Sequence, residues 1–244
     1  MAWYKQWFGE EYLELYAHRD EGEAERHVDF VESLFAGAPP RAVLDLACGA
    51  GRHTAALRKR GVRALGVDLS LVLLAQPPPL PRVAGDMRCL PFAEHAFDWV
   101  LNFFTSFGYF ESEQENFRVV AEIARVLEPG GRCLLDLMNL DATLAQLKEY
   151  EVRGEGQRRV EIRRWWDPQQ RRINKRIRLA ALDATKAGGE ARTFLESVRA
   201  YTLDEVTMGL RWAGLEVTAT YGSFAGEAYG RDSERLIIVG RRVH

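Results

Sequence analysis

The residues able to do chemistry concentrate in one run of small side chains. Asp45-Leu46-Ala47-Cys48-Gly49-Ala50-Gly51 follows an apolar stretch and precedes a helical pattern from Arg52 to Arg60. Small residues at 47, 49 and 51 let the backbone turn tightly and come close to a ligand. Asp68 stands 23 positions after Asp45, at the end of the next apolar stretch. A carboxylate in that place accepts hydrogen bonds from both hydroxyls of a ribose. Asp86 closes a third stretch, Arg82 to Ala84, and is placed to meet an adenine amino group.

A nucleoside ligand is therefore indicated, and the neighbouring residues narrow its kind. A dinucleotide seat asks for a third glycine three residues after the second. Thr54 occupies that position, which disfavours a pyrophosphate. The chain has no Tyr-x-x-x-Lys pair of the short-chain dehydrogenase kind and no Gly-x-x-x-x-Gly-Lys-Ser/Thr phosphate loop. Cys48, Cys89 and Cys133 form no Cys-x-x-Cys pair, so no metal site and no disulfide framework is predicted.

These side chains need a scaffold that brings several strand ends together. Short buried strands are predicted at Ala42–Ala47, Val62–Val67, Arg82–Ala84, Phe97–Phe103 and Arg132–Met138. Helices fall between them, at Arg52–Arg60 and Glu113–Leu127, with a sharp turn at Glu128-Pro129-Gly130-Gly131. Alternation of this kind implies a doubly wound α/β fold with a mostly parallel sheet of seven strands. Residues 1–36 are predicted as a helical cap, broken near Gly22, and 41–139 as the ligand-binding core. In 150–200 the rhythm changes to alternating runs, which predict an inserted antiparallel β lid. Residues 201–244 complete the core of what reads as one domain. Thr202-Leu203-Asp204-Glu205 is a capping box opening a last helix, and Leu215–Tyr221 and Arg235–Val239 are the last strands.

Composition excludes several classes. Hydrophobic residues make up 47% and charged residues 28%, so a large core forms and wholesale disorder is ruled out. The net charge of −2 gives no chain-wide cationic surface for nucleic acid. No apolar run reaches membrane-helix length, and the first residues lack a secretory pattern. The expectation is a cytoplasmic protein with reduced thiols, monomeric or homodimeric, with no membrane partner.

The motifs together resemble the class I S-adenosylmethionine-dependent methyltransferases. Val43-Leu44-Asp45-Leu46-Ala47-Cys48-Gly49-Ala50-Gly51, Gly66-Val67-Asp68-Leu69-Ser70, Gly85-Asp86-Met87, Phe97-Asp98-Trp99-Val100 and Leu127-Glu128-Pro129-Gly130-Gly131 carry the likeness, with Ala47 in place of the family's usual first glycine. The resemblance implies S-adenosyl-L-methionine as cofactor and S-adenosyl-L-homocysteine as product. It places Asp45, Ala47, Cys48, Gly49 and Gly51 around the methionine moiety and ribose. Asp68 takes the ribose, Leu69 flanks the adenine, and Asp86 and Met87 contact it. Asn102 faces the cofactor or the acceptor. Leu15-Tyr16-Ala17-His18-Arg19-Asp20 and Phe104-Thr105-Ser106-Phe107-Gly108-Tyr109 are similar to segments of amino-sugar and glycine N-methyltransferases. That likeness implies that Tyr16 reaches the cofactor carboxylate. Tyr109 stands where several of those enzymes carry a functional histidine.

A sulfonium is already a strong electrophile, so alignment of an acceptor lone pair supplies much of the rate. An amine must lose its proton to attack. Tyr109 is the first candidate for acceptor contact, and His18 and His53 are the alternatives. Tyrosine is a poor base at neutral pH, so Tyr109 is expected to orient. Arg52 and His53, just past the glycine turn, are candidates for cofactor contact. His27, His95 and His244 read as surface residues. From Arg153 to Arg178 ten basic residues face three acidic ones, which reads as a solvated strand face. The functional expectation is methyl transfer to nitrogen or oxygen of a small-molecule acceptor. The alternatives are a noncatalytic cofactor-binding regulator, an RNA methyltransferase and a nicotinamide-dependent oxidoreductase. Asn102-Phe103-Phe104-Thr105 lacks the two prolines with which adenine-N6 enzymes grip a flipped base, so a nucleic-acid substrate is unsupported.

Overall fold

The computed structural model describes residues 2–16, 21–35, 37, 39–155, 158–181 and 191–243. Three helices come first, α1 (Trp3–Trp7), α2 (Glu10–Leu15) and α3 (Glu21–Ser33). Strands and helices then alternate: β1 (Val43–Leu46), α4 (Arg52–Lys59), β2 (Ala64–Asp68), α5 (Leu71–Leu74), β3 (Arg82–Ala84), β4 (Phe97–Asn102), α6 (Glu113–Val126) and β5 (Leu127–Met138). After α7 (Leu140–Ala145) four strands follow in succession, β6 (Tyr150–Glu155), β7 (Arg158–Asp167), β8 (Arg172–Ala181) and β9 (Arg192–Arg199). The remaining elements are α8 (Leu203–Trp212), β10 (Leu215–Tyr221) and β11 (Arg235–Arg242).

Seven strands form one sheet in the order β10-β11-β5-β4-β1-β2-β3. The pairs β1–β2, β1–β4, β2–β3 and β4–β5 are parallel, and β11 runs antiparallel to both β5 and β10. Each face carries its own core. Leu44 and Leu46 of β1 point towards Ile123 of α6 and Leu210 of α8, while Val43 packs with Val28 and Val31 of α3 and Leu57 of α4. A strand buried on both faces reads as a near-continuous apolar run, and in β1 Val43, Leu44 and Leu46 supply it around one buried acid, Asp45. The winding reverses at β1, whose neighbours are β2 and β4. That reversal opens a crevice at its C-terminal end.

Caps set the helix starts that border this crevice. Gly51 precedes α4 with φ of 85°, a left-handed conformation that costs glycine little. Ser112 accepts a hydrogen bond from the Glu115 amide at the start of α6. The capping box of Thr202 and Glu205 is formed in full.

Three local expectations change. The second strand begins at Ala64 rather than Val62. Glu128–Gly131 lies within β5 as a bulge: Leu127 pairs with Phe97, and Arg132 already pairs with Trp99. The helical cap is interrupted after Leu15, and Gly22 lies inside the first turn of α3.

The four late strands form a second, antiparallel sheet in the order β6-β7-β8-β9. Val160, Ile162, Ile177, Leu179 and Phe194 on its inner face close over Trp7 and Leu15 of the N-terminal helices. Arg159, Arg163, Arg176 and Arg178 are exposed. No helix of the described residues is long and apolar enough to cross a membrane.

Candidate active site

A cavity of about 950 Å³ opens at the C-terminal ends of β1, β2 and β4. Its floor is the turn after β1, its roof is α1 and α2, and Arg192, Glu196 and Val198 of the second sheet form part of its wall.

The turn after β1 is wound by alternating left-handed residues: Ala47 at φ 60°, Gly49 at 55° and Gly51 at 85°. Only Ala47 among them carries a Cβ, so the methyl group is held at some conformational cost. Asp68 fixes the turn from β2. One of its carboxylate oxygens accepts the Gly49 amide at 2.8 Å, and the other accepts the Ser70 amide at 2.8 Å. Burial pushes the Asp68 carboxyl above its ordinary value against the pull of the Ser70, Gly49 and Leu69 amides. Each oxygen keeps a further lone pair, so the carboxylate can still accept two ligand hydroxyls. Asp45 is buried and accepts the Thr54 hydroxyl at 2.7 Å. Burial pushes its carboxyl up to about 6. Thr54, at the place of a third glycine, thus serves the turn itself. Gly66 of β2 allows the close packing, because a Cβ there would stand 2.6 Å from Cys48 Sγ. Burial raises the Cys48 thiol far above its ordinary range, which leaves it inert as a nucleophile.

Asp86 and Met87 line the cavity at the end of β3, and Leu69 lines it after β2. Burial raises the Asp86 carboxyl, but Arg88 outweighs this and holds it below the ordinary range. Arg88 grips both oxygens, with Nε at 3.0 Å from one and Nη2 at 2.6 Å from the other.

Tyr109 lines the cavity within an aromatic roof. Its ring centroid lies 4.8 Å from Trp3 and 5.7 Å from Phe8, and the Trp3 indole donates to its carbonyl at 3.3 Å. Arg172 of β8 is buried and donates to the carbonyls of Phe110 at 2.9 Å, Gly108 at 3.2 Å and Tyr109 at 3.3 Å. Tyr16 also lines the cavity. Its hydroxyl donates to Glu196 at 3.2 Å and accepts from Lys175, so the inserted sheet and α2 are tied together at this point.

His53, in the first turn of α4, is buried in the cavity wall and stacks on Phe103 with centroids 3.9 Å apart. Its Nε2 lies 3.1 Å from Nδ1 of His27, one imidazole donating to the other. His27 is therefore not a surface residue: it is half-buried and stacks on Phe224 at 3.8 Å. Burial, helped by Arg235, Arg26 and Arg52, pushes His27 down to about 4. Burial also holds His53 well below its ordinary value, so both rings are neutral. Arg52 lines the cavity, paired with Glu23 at 3.3 Å and lying over Phe104 at 5.3 Å. His95 is exposed. His18 and His244 lie outside the described residues.

Two predicted residues stay behind the wall. Gly51 packs against Leu80 and Arg82, where a Cβ would meet Leu80 at 2.9 Å. Asn102 is buried beneath the floor, donating to the Leu46 carbonyl at 2.9 Å. Sequence reasoning missed Glu196, Arg172, Asp136 and Arg235. Asp136 had a signal, a lone charge inside the apolar run Leu134 to Met138.

Residues 44–135 match the family described as "Methyltransferase domain". The cypemycin N-terminal methyltransferase of Streptomyces sp is 31% identical over 212 residues, 83% of each chain. Among solved structures, a sugar N-methyltransferase from Streptoalloteichus sp is 24% identical with a TM-score of 0.74, covering 97% of this chain and 94% of the other. An amino pentose methyltransferase from Micromonospora echinaspora, solved with S-adenosylmethionine bound, is 22% identical with a TM-score of 0.66, covering 91% of each. Doubly wound sheet, glycine turn and strand-end carboxylates thus define a nucleoside-binding α/β enzyme. The chain belongs to the class I S-adenosylmethionine-dependent methyltransferases, with S-adenosylmethionine as cofactor.

Proposed function

We propose that this enzyme methylates an amine nitrogen of a small acceptor carrying a positive charge in solution. The observation that carries this reading is the charge of the cavity. Glu10, Glu11, Asp45, Asp68, Asp86 and Glu196 line it against Lys5, Arg52 and Arg192. Arg88 and Lys175 are paired to Asp86 and Glu196 from beside it, which leaves a small excess of negative charge. The wall histidine, His53, is neutral. A low-dielectric cleft of that sign concentrates cations. The relatives named above are, by their names, an N-terminal methyltransferase, an amino pentose methyltransferase and a sugar N-methyltransferase, which favours a nitrogen acceptor.

The residues present suit the cofactor. Asp68 offers two buried oxygens already oriented by backbone amides, the pattern that two vicinal hydroxyls satisfy. Leu69 and Met87 offer apolar contact for a purine, and the Ala47–Gly49 turn offers backbone at close range. Asp86 is proposed to present an oxygen set by Arg88 rather than a mobile carboxylate. Tyr16 is proposed to act near the cofactor's amino-acid end together with Glu196 and Lys175. S-adenosylmethionine supplies an electrophilic methyl group on a sulfonium. The chain supplies alignment, and the aromatic roof of Trp3, Tyr4, Phe8 and Tyr109 excludes water from the acceptor. Tyr109 orients, since its ring is packed within that roof. Three free thiols, two of them buried, suit a reducing compartment such as the cytoplasm.

The test is transfer of a deuterated methyl group from S-adenosylmethionine to a panel of amines, alcohols and short RNA, read by mass spectrometry. Label on amine nitrogen is expected. Label confined to alcohol oxygen or to RNA would refute the amine assignment.

A further inference from the structure

Two consecutive residues of the cavity wall, Phe104 and Thr105, have φ of 57° and 55°. A β-branched residue in the left-handed region is a true outlier, and glycine or asparagine would take that conformation more readily. A charge pair, fully buried at Asp136 and half-buried at Arg235, holds them there. The Asp136 carboxylate is fully buried and accepts the Phe104 amide at 2.7 Å, while the Asp136 carbonyl accepts the Thr105 amide at 2.9 Å. Arg235 reaches the other Asp136 oxygen at 2.7 Å through Nε. Its Nη2 donates to the Thr105 hydroxyl at 3.1 Å.

The direction of that last bond is decisive. A guanidinium only donates, so the Thr105 oxygen accepts and its own proton remains to be given. Among the described residues the hydroxyl makes this one hydrogen bond and offers its proton to none. Accepting from a cation also strengthens the O–H as a donor. What threonine adds at this strained position is therefore a positioned hydroxyl, with a proton still to give, on a residue that lines the cavity.

We propose that Thr105 determines acceptor specificity: its hydroxyl, held by Arg235 on a backbone fixed by Asp136, donates to an oxygen carried by the amine acceptor. The class is amines that also bear a hydroxyl or carbonyl oxygen. Amino sugars and peptide N-termini share that chemistry, and the test separates them. Asp136 and Arg235 are positioning residues that act through Thr105. The proposal rests on the amine reading above and deepens it.

The experiment compares the wild type with Thr105→Val, which keeps shape and backbone strain, and Thr105→Ser, which restores the hydroxyl. The probes are trans-2-aminocyclohexanol against cyclohexylamine, with an amino sugar and a short peptide bearing a free N-terminus as separate arms. Binding of S-adenosylmethionine is measured in parallel by calorimetry. The wild type should favour the oxygenated amine about tenfold in kcat/KM, one net hydrogen bond's worth. Thr105→Val should abolish that preference through KM with cofactor affinity unchanged, and Thr105→Ser should restore it. The proposal fails if Thr105→Val keeps the preference, or if it weakens cofactor binding instead. Should the wild type methylate only non-amine acceptors, the amine reading fails separately. An unchanged KM of Thr105→Val for such an acceptor then overturns the Thr105 role too. Failure of every oxygenated amine both to be methylated and to bind the S-adenosylhomocysteine complex also overturns it.

Discussion

Asp68→Asn separates the two tasks of one carboxylate. In the wild type each oxygen accepts a backbone amide at 2.8 Å, from Gly49 and from Ser70. An asparagine has one accepting oxygen, so its NH2 must face one of those amides. One buried donor is then left unsatisfied, which costs about 1–3 kcal/mol of stability. Towards the cofactor, the loss is larger than a single neutral bond. One hydroxyl loses its acceptor and the other loses a charged one, and hydrogen bonds to charged groups contribute about 1.5–3 kcal/mol each. A total of about 2–4 kcal/mol corresponds to a rise in Kd of about 30- to 700-fold at 1.4 kcal/mol per decade. Calorimetric titration with S-adenosylmethionine reads this directly, at a temperature where differential scanning fluorimetry shows the variant folded. A Kd within threefold of the wild type, in a variant of normal thermal stability, would remove Asp68 from the cofactor site.

Three further outcomes follow from particular contacts. His27 has a folded pKa of about 4 and an unfolded value near 6.5, so the folded state resists protonation; its stability is full above about pH 6.5 and falls as pH drops towards 4, by up to about 1.4 kcal/mol per pH unit. His27→Phe should flatten that share of the acid limb in urea titrations at pH 5 and 7.5, and an unchanged limb would contradict the burial of a neutral His27. Ala47→Gly relieves a left-handed alanine, a gain of about 1–2 kcal/mol, against about 0.4–1 kcal/mol of unfolded-chain entropy. A slightly raised Tm, about 1–3 °C, is expected, and a clear drop would mean that the methyl group packs productively. Arg172→Met removes the guanidinium from the Gly108, Tyr109 and Phe110 carbonyls, which keep the Arg199 amide, the Trp3 indole and the Asn116 side-chain amide as donors, and should cost about 1–3 kcal/mol in denaturant titration. A loss under about 1 kcal/mol would show that water replaces the guanidinium.

The sequence made the parallel strands and the acids at their ends legible for a physical reason. β1 is buried on both faces, so its run is apolar apart from Asp45 and ends abruptly at the small residues of the turn. Asp45, Asp68 and Asp86 act through spacing along single strands, which local reading captures. What stayed hidden depends on distant partners. His27 sits among Arg26, Asp29 and other polar neighbours, and its burial comes from Phe224, nearly two hundred positions later. Tyr16 meets Glu196 and Lys175 across separations of 180 and 159 residues. Glu128–Gly131 reads as a turn because of its glycines, but the strand pairing resumes on its far side. Asn102 and Gly51 occupy the right strand end and turn, and fall behind the cavity wall because the register that decides their direction is tertiary.

The pocket suits a ribose-bearing sulfonium and not a dinucleotide. Parallel calorimetric titrations of the wild-type protein with S-adenosylmethionine, S-adenosylhomocysteine and NAD test it most directly. Saturable micromolar binding of both sulfur ligands and none of NAD is the predicted result. Binding of NAD with neither sulfur ligand would contradict it and make the turn after β1 a pyrophosphate seat.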